Sequence, residues 1–180
     1  MKNILITLSC VVLLNGCAIM SKSECQNANW EFIGQRDGVA GAGSLAQQRG
    51  MACTKHKVEI NRQLYAEGYK KGVKTYCNPQ AVFEYALHGQ GDYQSCPLEM
   101  HNELRPYYHA AKNYYDAKAN MEAIEYKIAK AKGRLSEVKS REMSDYYRGI
   151  IIENSELLSQ AGRNLNQEEI KLKQFKKDNF

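Results

Sequence analysis

From Tyr107 to Val138 the apolar and small side chains fall alternately three and four residues apart, at Tyr107, Ala110, Tyr114, Ala117, Met121, Ile124, Ile128, Ala131, Leu135 and Val138. That spacing is the seam of an amphipathic helix and fits no strand, where the buried side would recur every second residue. A second, poorer series follows at Tyr147, Ile151, Asn154, Leu158, Ala161, Leu165, Glu168, Leu172 and Phe175, two of whose members are polar. Lys139 to Asp145 between them is polar, and Ser144 or Asp145 can cap a new helix. Two helices of ~30 residues, each ~45 Å long, folding back on each other bury both seams. A single unbroken helix that dimerises is the alternative. The seam changes phase at the polar stretch, which favours the hairpin.

The N-terminus dictates a compartment. Met1-Lys2-Asn3 is a short basic region, Ile4 to Leu14 is almost wholly apolar, and Leu14-Asn15-Gly16-Cys17 follows directly. The apolar run is too short for a permanent membrane span, which needs ~20 residues. It reads as a cleaved export signal, residues 1–16, ending in the pattern that lipoprotein-processing enzymes acylate at the cysteine thiol and cut. Cys17 is therefore the expected lipidation site, and several acyl chains on one residue anchor stably where one chain is marginal. Ala18 is not the Asp that holds lipoproteins at the inner membrane, so the expected address is the outer membrane, facing the periplasm.

Cysteine use then becomes interpretable. Cys10 leaves with the signal, Cys17 is acylated, and Cys25, Cys53, Cys77 and Cys96 remain. Four thiols in an oxidising compartment imply two disulfides with three possible connectivities. Cys25–Cys53 with Cys77–Cys96 needs the least chain organisation and is favoured. No C-x-x-C occurs, and His56, His88, His101 and His109 stand at no ligand spacing, so no metal or cofactor is expected.

Residues 17–29 read as a lipidated tether, 30–105 as a small Cys- and Gly-rich domain of short helices, and 106–180 as the hairpin. The expected fold is mainly α. Eight residues separate Cys17 from Cys25, a reach of ~28 Å at most, which keeps the domain near its membrane. Ser44-Leu45-Ala46-Gln47 has the form of a capping box, and Asn61 can cap a helix running to about Tyr76. Gly68 and Gly72, one turn apart in that helix, cost ~1 kcal/mol each relative to Ala, so they predict a close backbone approach. Cys77-Asn78-Pro79 ends the helix, and Gly89-Gln90-Gly91-Asp92 is turn chemistry.

Chemical motifs are sparse. Gly41-Ala42-Gly43-Ser44-Leu45-Ala46 resembles a nucleotide-binding glycine loop, but no strand precedes it and a capped turn accounts for it. Glu31 with Asp37, or Glu84 with Asp92, would have to converge to serve a hydrolase, and 20 acidic residues guarantee chance pairs. The stretches Lys127 to Lys132 and Lys171 to Lys177 read as solvated helix faces, although Lys176 and Lys177 suit anionic headgroups as well. A net charge of +5 is mild, and nucleic acid is not expected in this compartment. The 12 Tyr against 4 Phe and 1 Trp suit half-wet interfaces.

Three blocks carry a likeness. They are Asn29-Trp30-Glu31-Phe32-Ile33-Gly34-Gln35-Arg36-Asp37-Gly38, then Tyr65-Ala66-Glu67-Gly68-Tyr69-Lys70-Lys71-Gly72 with Tyr76-Cys77, and Gly89-Gln90-Gly91-Asp92-Tyr93-Gln94-Ser95-Cys96-Pro97. Over roughly Cys17 to Pro97 the chain resembles the proteobacterial lipoproteins grouped as domain of unknown function 2799. The resemblance implies lipoprotein status and brings no activity, cofactor or catalytic residue. Asn61 stands where Asp is expected four residues before Tyr65, and it keeps the capping capacity.

The resulting expectation is a non-enzymatic envelope lipoprotein with no catalytic residue. It is held to the membrane by its N-terminal lipid and offers its C-terminal helices to a protein or cell-wall partner. The competing expectation is a small envelope enzyme, or an inhibitor of one, acting on peptidoglycan through the region between Trp30 and Cys96.

Overall fold

The computed structural model describes residues 20–180; the export segment 1–16 and Cys17 lie outside the described residues. Among the described residues every regular element is helical. In chain order these are α1 (Lys22–Gln26), α2 (Trp30–Val39), α3 (Ala46–Thr54), α4 (Arg62–Tyr76), α5 (Pro79–Leu87), α6 (His101–Glu137) and α7 (Arg141–Asn179). Short 3-10 turns at Tyr93–Ser95 and Leu98–Met100 link α5 to α6.

Local chemistry sets the helix starts. The Asn29, Asn61 and Asn78 side chains accept from the amides of Phe32, Leu64 and Ala81, each satisfying an orphan donor three residues on. Pro79 occupies the first turn of α5, where a missing N–H costs nothing. The capping box lies elsewhere than expected. Ser21 and Glu24 form it reciprocally at α1, so part of the segment read as tether is folded. Leu45 is the N-cap of α3 and gives no side-chain bond, while the Ser44 hydroxyl accepts from the Ala46 amide two residues on at 3.4 Å.

In the small domain α2 and α4 lie face to face at backbone contact, and the disulfides fasten the periphery to this pair. Cys25–Cys53 joins α1 to α3 across a Cα separation of 5.5 Å, and Cys77–Cys96 joins the end of α4 to the chain just before α6 at 5.6 Å. Met20, Cys25, Trp30, Cys53 and Tyr65 form one core cluster, and Tyr76, Cys77, Val82, Tyr93, Cys96 and Leu104 form a second.

The long helices form the expected antiparallel hairpin, and every member of both seams is buried or half-buried. Its bounds differ from the expectation. α6 starts at His101, ahead of Pro106, and the connection is Val138-Lys139-Ser140, with Ser140 and neither Ser144 nor Asp145 at the N-cap. Pro106 is tolerated because it is exposed, so water can satisfy the Asn102 carbonyl that loses its donor. With 37 and 39 residues the helices are about 55 Å and 58 Å long.

The base of the hairpin is packed against α5. Phe83, Ala86, Ala111 and Leu172 make a third cluster, over which the Phe175 and Phe180 rings lie 5.9 Å and 5.1 Å from that of Phe83. The end of the chain therefore returns to the small domain. Farther along, Ile124, Ile128 and Ala161, flanked by Met121 and Leu158, make a fourth cluster built from α6 and α7 alone.

Candidate functional site

The most polar buried point is the Asp37 carboxylate. Arg49 binds it through two guanidinium nitrogens, Nε to Oδ2 at 2.7 Å and Nη2 to Oδ1 at 2.6 Å, and the Tyr65 hydroxyl donates to Oδ2 at 2.8 Å. The same hydroxyl accepts from the Leu45 amide at 3.0 Å, so one network ties α2, α3, α4 and the 40–45 loop. The hydrogen bond to Asp37 raises the Arg49 pKa, and burial, followed by Asp37, raises that of Tyr65. Every partner is occupied and the group is enclosed, so its chemistry is that of a clamp.

The acidic residues considered as catalytic pairs are kept apart in role. Glu31 is on the surface in an ion pair with Lys71, while Asp37 is buried with Arg49. Asp92 accepts from the Gln94 amide at 2.8 Å and starts a 3-10 turn, and Glu84 is exposed. Of the 41–46 glycine loop only Gly41 is buried, while residues 42–44 are exposed. Gly41, at φ +63°, lies against the Tyr76 ring and its carbonyl accepts from the Asp92 amide at 2.8 Å. Among the described residues no three His, Cys, Asp or Glu side chains come together as a metal-holding group. His101 bonds the Cys96 carbonyl at 2.8 Å and, with Tyr108 and His109, rings Tyr93.

Open surface of interest lies on and around the hairpin. A cleft of about 550 Å³ opens where the end of α5 meets α6 and α7, with His88, Tyr115, Lys118, Glu122, Lys173 and Lys176 on its walls. Its positive charge is largely answered from within, since Lys173 lies 2.7 Å from Glu169 and Lys118 lies 3.9 Å from Glu122. Lys176 sits 5.4 Å over the Phe83 ring.

Along one side of the hairpin runs a shallow furrow whose two stretches, about 330 Å³ and 320 Å³, share Asn120 and Asn164. Asn113, Asn120, Gln160 and Asn164 supply amides, and Ala117 and Ala161 keep its floor low. The lining residues recur three and four apart on both helices, which is why the furrow follows the helix axes. Leu157 in its wall and, elsewhere on the distal hairpin, Tyr126, Met143, Tyr146 and Ile152 are exposed at 40–68% of their surface. Among the described residues the buried cluster of this distal half draws on α6 and α7 alone.

Sequence reasoning missed two features of this arrangement. Asp37 and Arg49 are 12 residues apart on different helices, and no local pattern marks such a pair. Phe83 and Phe180 are joined only through the return of α7. Gly34 and Gly38, by contrast, repeat the spacing of Gly68 and Gly72, and that duplication was available to be read.

Among the described residues no helix is long and apolar enough to cross a membrane. No curated protein and no solved structure matches the chain. Residues 29–113, which run from the cap of α2 into the first part of α6, match the model of the family described as Protein of unknown function (DUF2799).

Proposed function

We propose that the chain is a non-enzymatic envelope lipoprotein, anchored through Cys17 to the outer membrane and facing the periplasm. In this reading the small disulfide-stapled domain is a mount, and the hairpin is the part offered to a protein or cell-wall partner. One observation carries it. On its furrow side the distal half of the hairpin leaves Met143, Tyr146 and Leu157 exposed, beside a furrow rich in amides. Exposed apolar groups that share one helix face by their spacing, rimmed by polar ones, are the mark of an interaction surface. An enzyme acting on peptidoglycan is disfavoured because three of the four candidate carboxylates are spent on a clamp, a surface ion pair and a turn.

The test has two parts. A photo-crosslinking amino acid at Tyr146 or Leu157 in intact cells is expected to trap a defined partner, and the same group at exposed Gln63 on α4 is expected not to. Equal, diffuse labelling from all three positions would refute the handle. Separately, Cys17→Ser is expected to leave an unprocessed chain that takes up no palmitate analogue, and recovery of the native chain in inner-membrane fractions would refute the address.

A further inference from the structure

Met20, the first described residue, is 3% exposed, with its sulfur 3.8 Å from that of Cys53. The next residue is fixed as well. The Ser21 amide donates to Glu24 Oε2 at 2.7 Å, and the Glu24 amide donates to Ser21 Oγ at 3.3 Å. The fold thus grips the chain from Met20 onward. Three residues of extended chain span about 11 Å at most, so the Cα of Cys17 lies within about 11 Å of that of Met20. The polar layer of a bilayer is roughly 5–7 Å deep on each side. An acylated Cys17 therefore brings the surface around Met20 to headgroup level.

That surface has the chemistry for the position. Met20 lies in the wall of a depression of about 450 Å³, together with Phe32, Ile33 and Arg36. Phe32 is 61% exposed although it stands in the first turn of α2, one residue from half-buried Ile33. Arg36 follows one turn later and is also exposed. An aromatic ring beside a guanidinium suits the boundary between acyl chains and phosphates, where the ring enters the apolar layer and the cation stays with the headgroups.

We infer that the α1–α2 corner, led by Phe32 with Arg36 beside it, is a bilayer-contact surface that holds the lipidated domain in one orientation. The inference rests on the reading that Cys17 carries the lipid. Under it the anchor is a three-residue link to a fixed corner, and the mount cannot swing freely.

The experiment uses the mature lipidated chain, reconstituted in phosphatidylethanolamine–phosphatidylglycerol vesicles with and without brominated acyl chains. Phe32→Trp is expected to lose much of its added emission to the brominated chains, and Tyr126→Trp is expected to keep it. Both positions are exposed, so both variants keep the fold, which far-ultraviolet dichroism checks. An unquenched Phe32→Trp in protein that floats with the vesicles overturns the contact and leaves the anchor standing. Quenching of Tyr126→Trp alone overturns it too, by laying the hairpin on the bilayer. Failure of the unmutated protein to float overturns the anchor, and this inference with it.

Discussion

Gly68 lies so close to α2 that a Cβ placed on it would stand 1.8 Å from the Glu31 carbonyl oxygen. The relation is mutual along the helix pair. A Cβ on Gly34 would meet the Tyr65 carbonyl oxygen at 2.1 Å, on Gly38 that of Tyr69 at 2.4 Å, and on Gly72 that of Gln35 at 2.1 Å. Four glycines, two per helix at a spacing of four, let the backbones touch and Cα–H groups face carbonyls. Gly68→Ala should therefore force the helices apart and cost about 3 kcal/mol. Gly133, Gly149 and Gly162 meet nothing within 4 Å, so alanine there should stabilise by about 0.5–1 kcal/mol through helix propensity. Urea unfolding of the two sets, with opposite signs of effect, checks the assignment.

What the sequence discloses follows from how local each interaction is. Both hairpin seams were legible because periodicity alone fixes which face is buried, and Asn154 and Glu168 fit the seam despite their polarity. Asn61 as a cap, and Gly68 with Gly72 as a close-contact surface, were legible because each acts within a turn or two. The helix touched by Gly68 was not, since contact across the chain leaves no local trace. Ser44 shows the converse failure. Its sequence pattern fits a capping box, but the Leu45 amide is taken by the Tyr65 hydroxyl, and that tertiary bond shifts the helix start. The hairpin bound at residue 106 failed for a different reason, because a proline near a helix start is harmless when its side faces water.

Breaking the staples should loosen defined parts. The bridges span 28 and 19 residues, which on the chain-entropy model corresponds to about 3.5 and about 3 kcal/mol. In a Cys25→Ser/Cys53→Ser variant, amide exchange should quicken in α1 and α3, while α6 and α7 keep their protection. Loss of protection in the hairpin of that variant would show that the two halves unfold as one unit.

The clamp makes an asymmetric prediction. Asp37→Ala leaves the Arg49 guanidinium 6% exposed and without its carboxylate, and should cost about 3–5 kcal/mol. Tyr65→Phe removes one donor and leaves the Leu45 amide unmet, for about 1–2 kcal/mol. Replacing Asp37 and Arg49 together by leucine should cost less than Asp37→Ala alone, because no charge is stranded. Thermal unfolding of the three variants orders them.

Alkaline pH should undo the small domain in a defined window. Burial is the leading cause that raises the pKa of both Tyr65 and Tyr76, and the Tyr76 hydroxyl has no hydrogen-bond partner. The unfolded chain then gives up these protons more readily than the folded one. Their contribution to stability is fully present below the unfolded pKa of 10.0 and is lost as pH rises above it. Ultraviolet titration should show the exposed tyrosines ionising first, and the last tyrosinates appearing together with loss of helical dichroism. Smooth ionisation of all tyrosines with the helices intact would contradict the burial argument.

The distal hairpin depends on few contacts, which makes it the most informative place to insert a charge. Ile128 is 8% exposed and packs with Ile124, Ala161, Met121 and Leu158, all from the same two helices. A carboxylate at that point has no basic partner within the seam and lies beyond the reach of the aromatic cluster at the base. Ile128→Asp should therefore cost roughly 4 kcal/mol locally and fray both helices from their connection back toward Met121. The base should hold, since Phe83, Leu172, Phe175 and Phe180 are packed independently of the change. Amide exchange should accordingly rise between residues 121 and 161 and stay slow around Ala111 and Leu172. Sedimentation should show the same mass before and after substitution, because the seam is filled within one chain. A mass that halves on substitution would mean that the seam is shared between two chains instead.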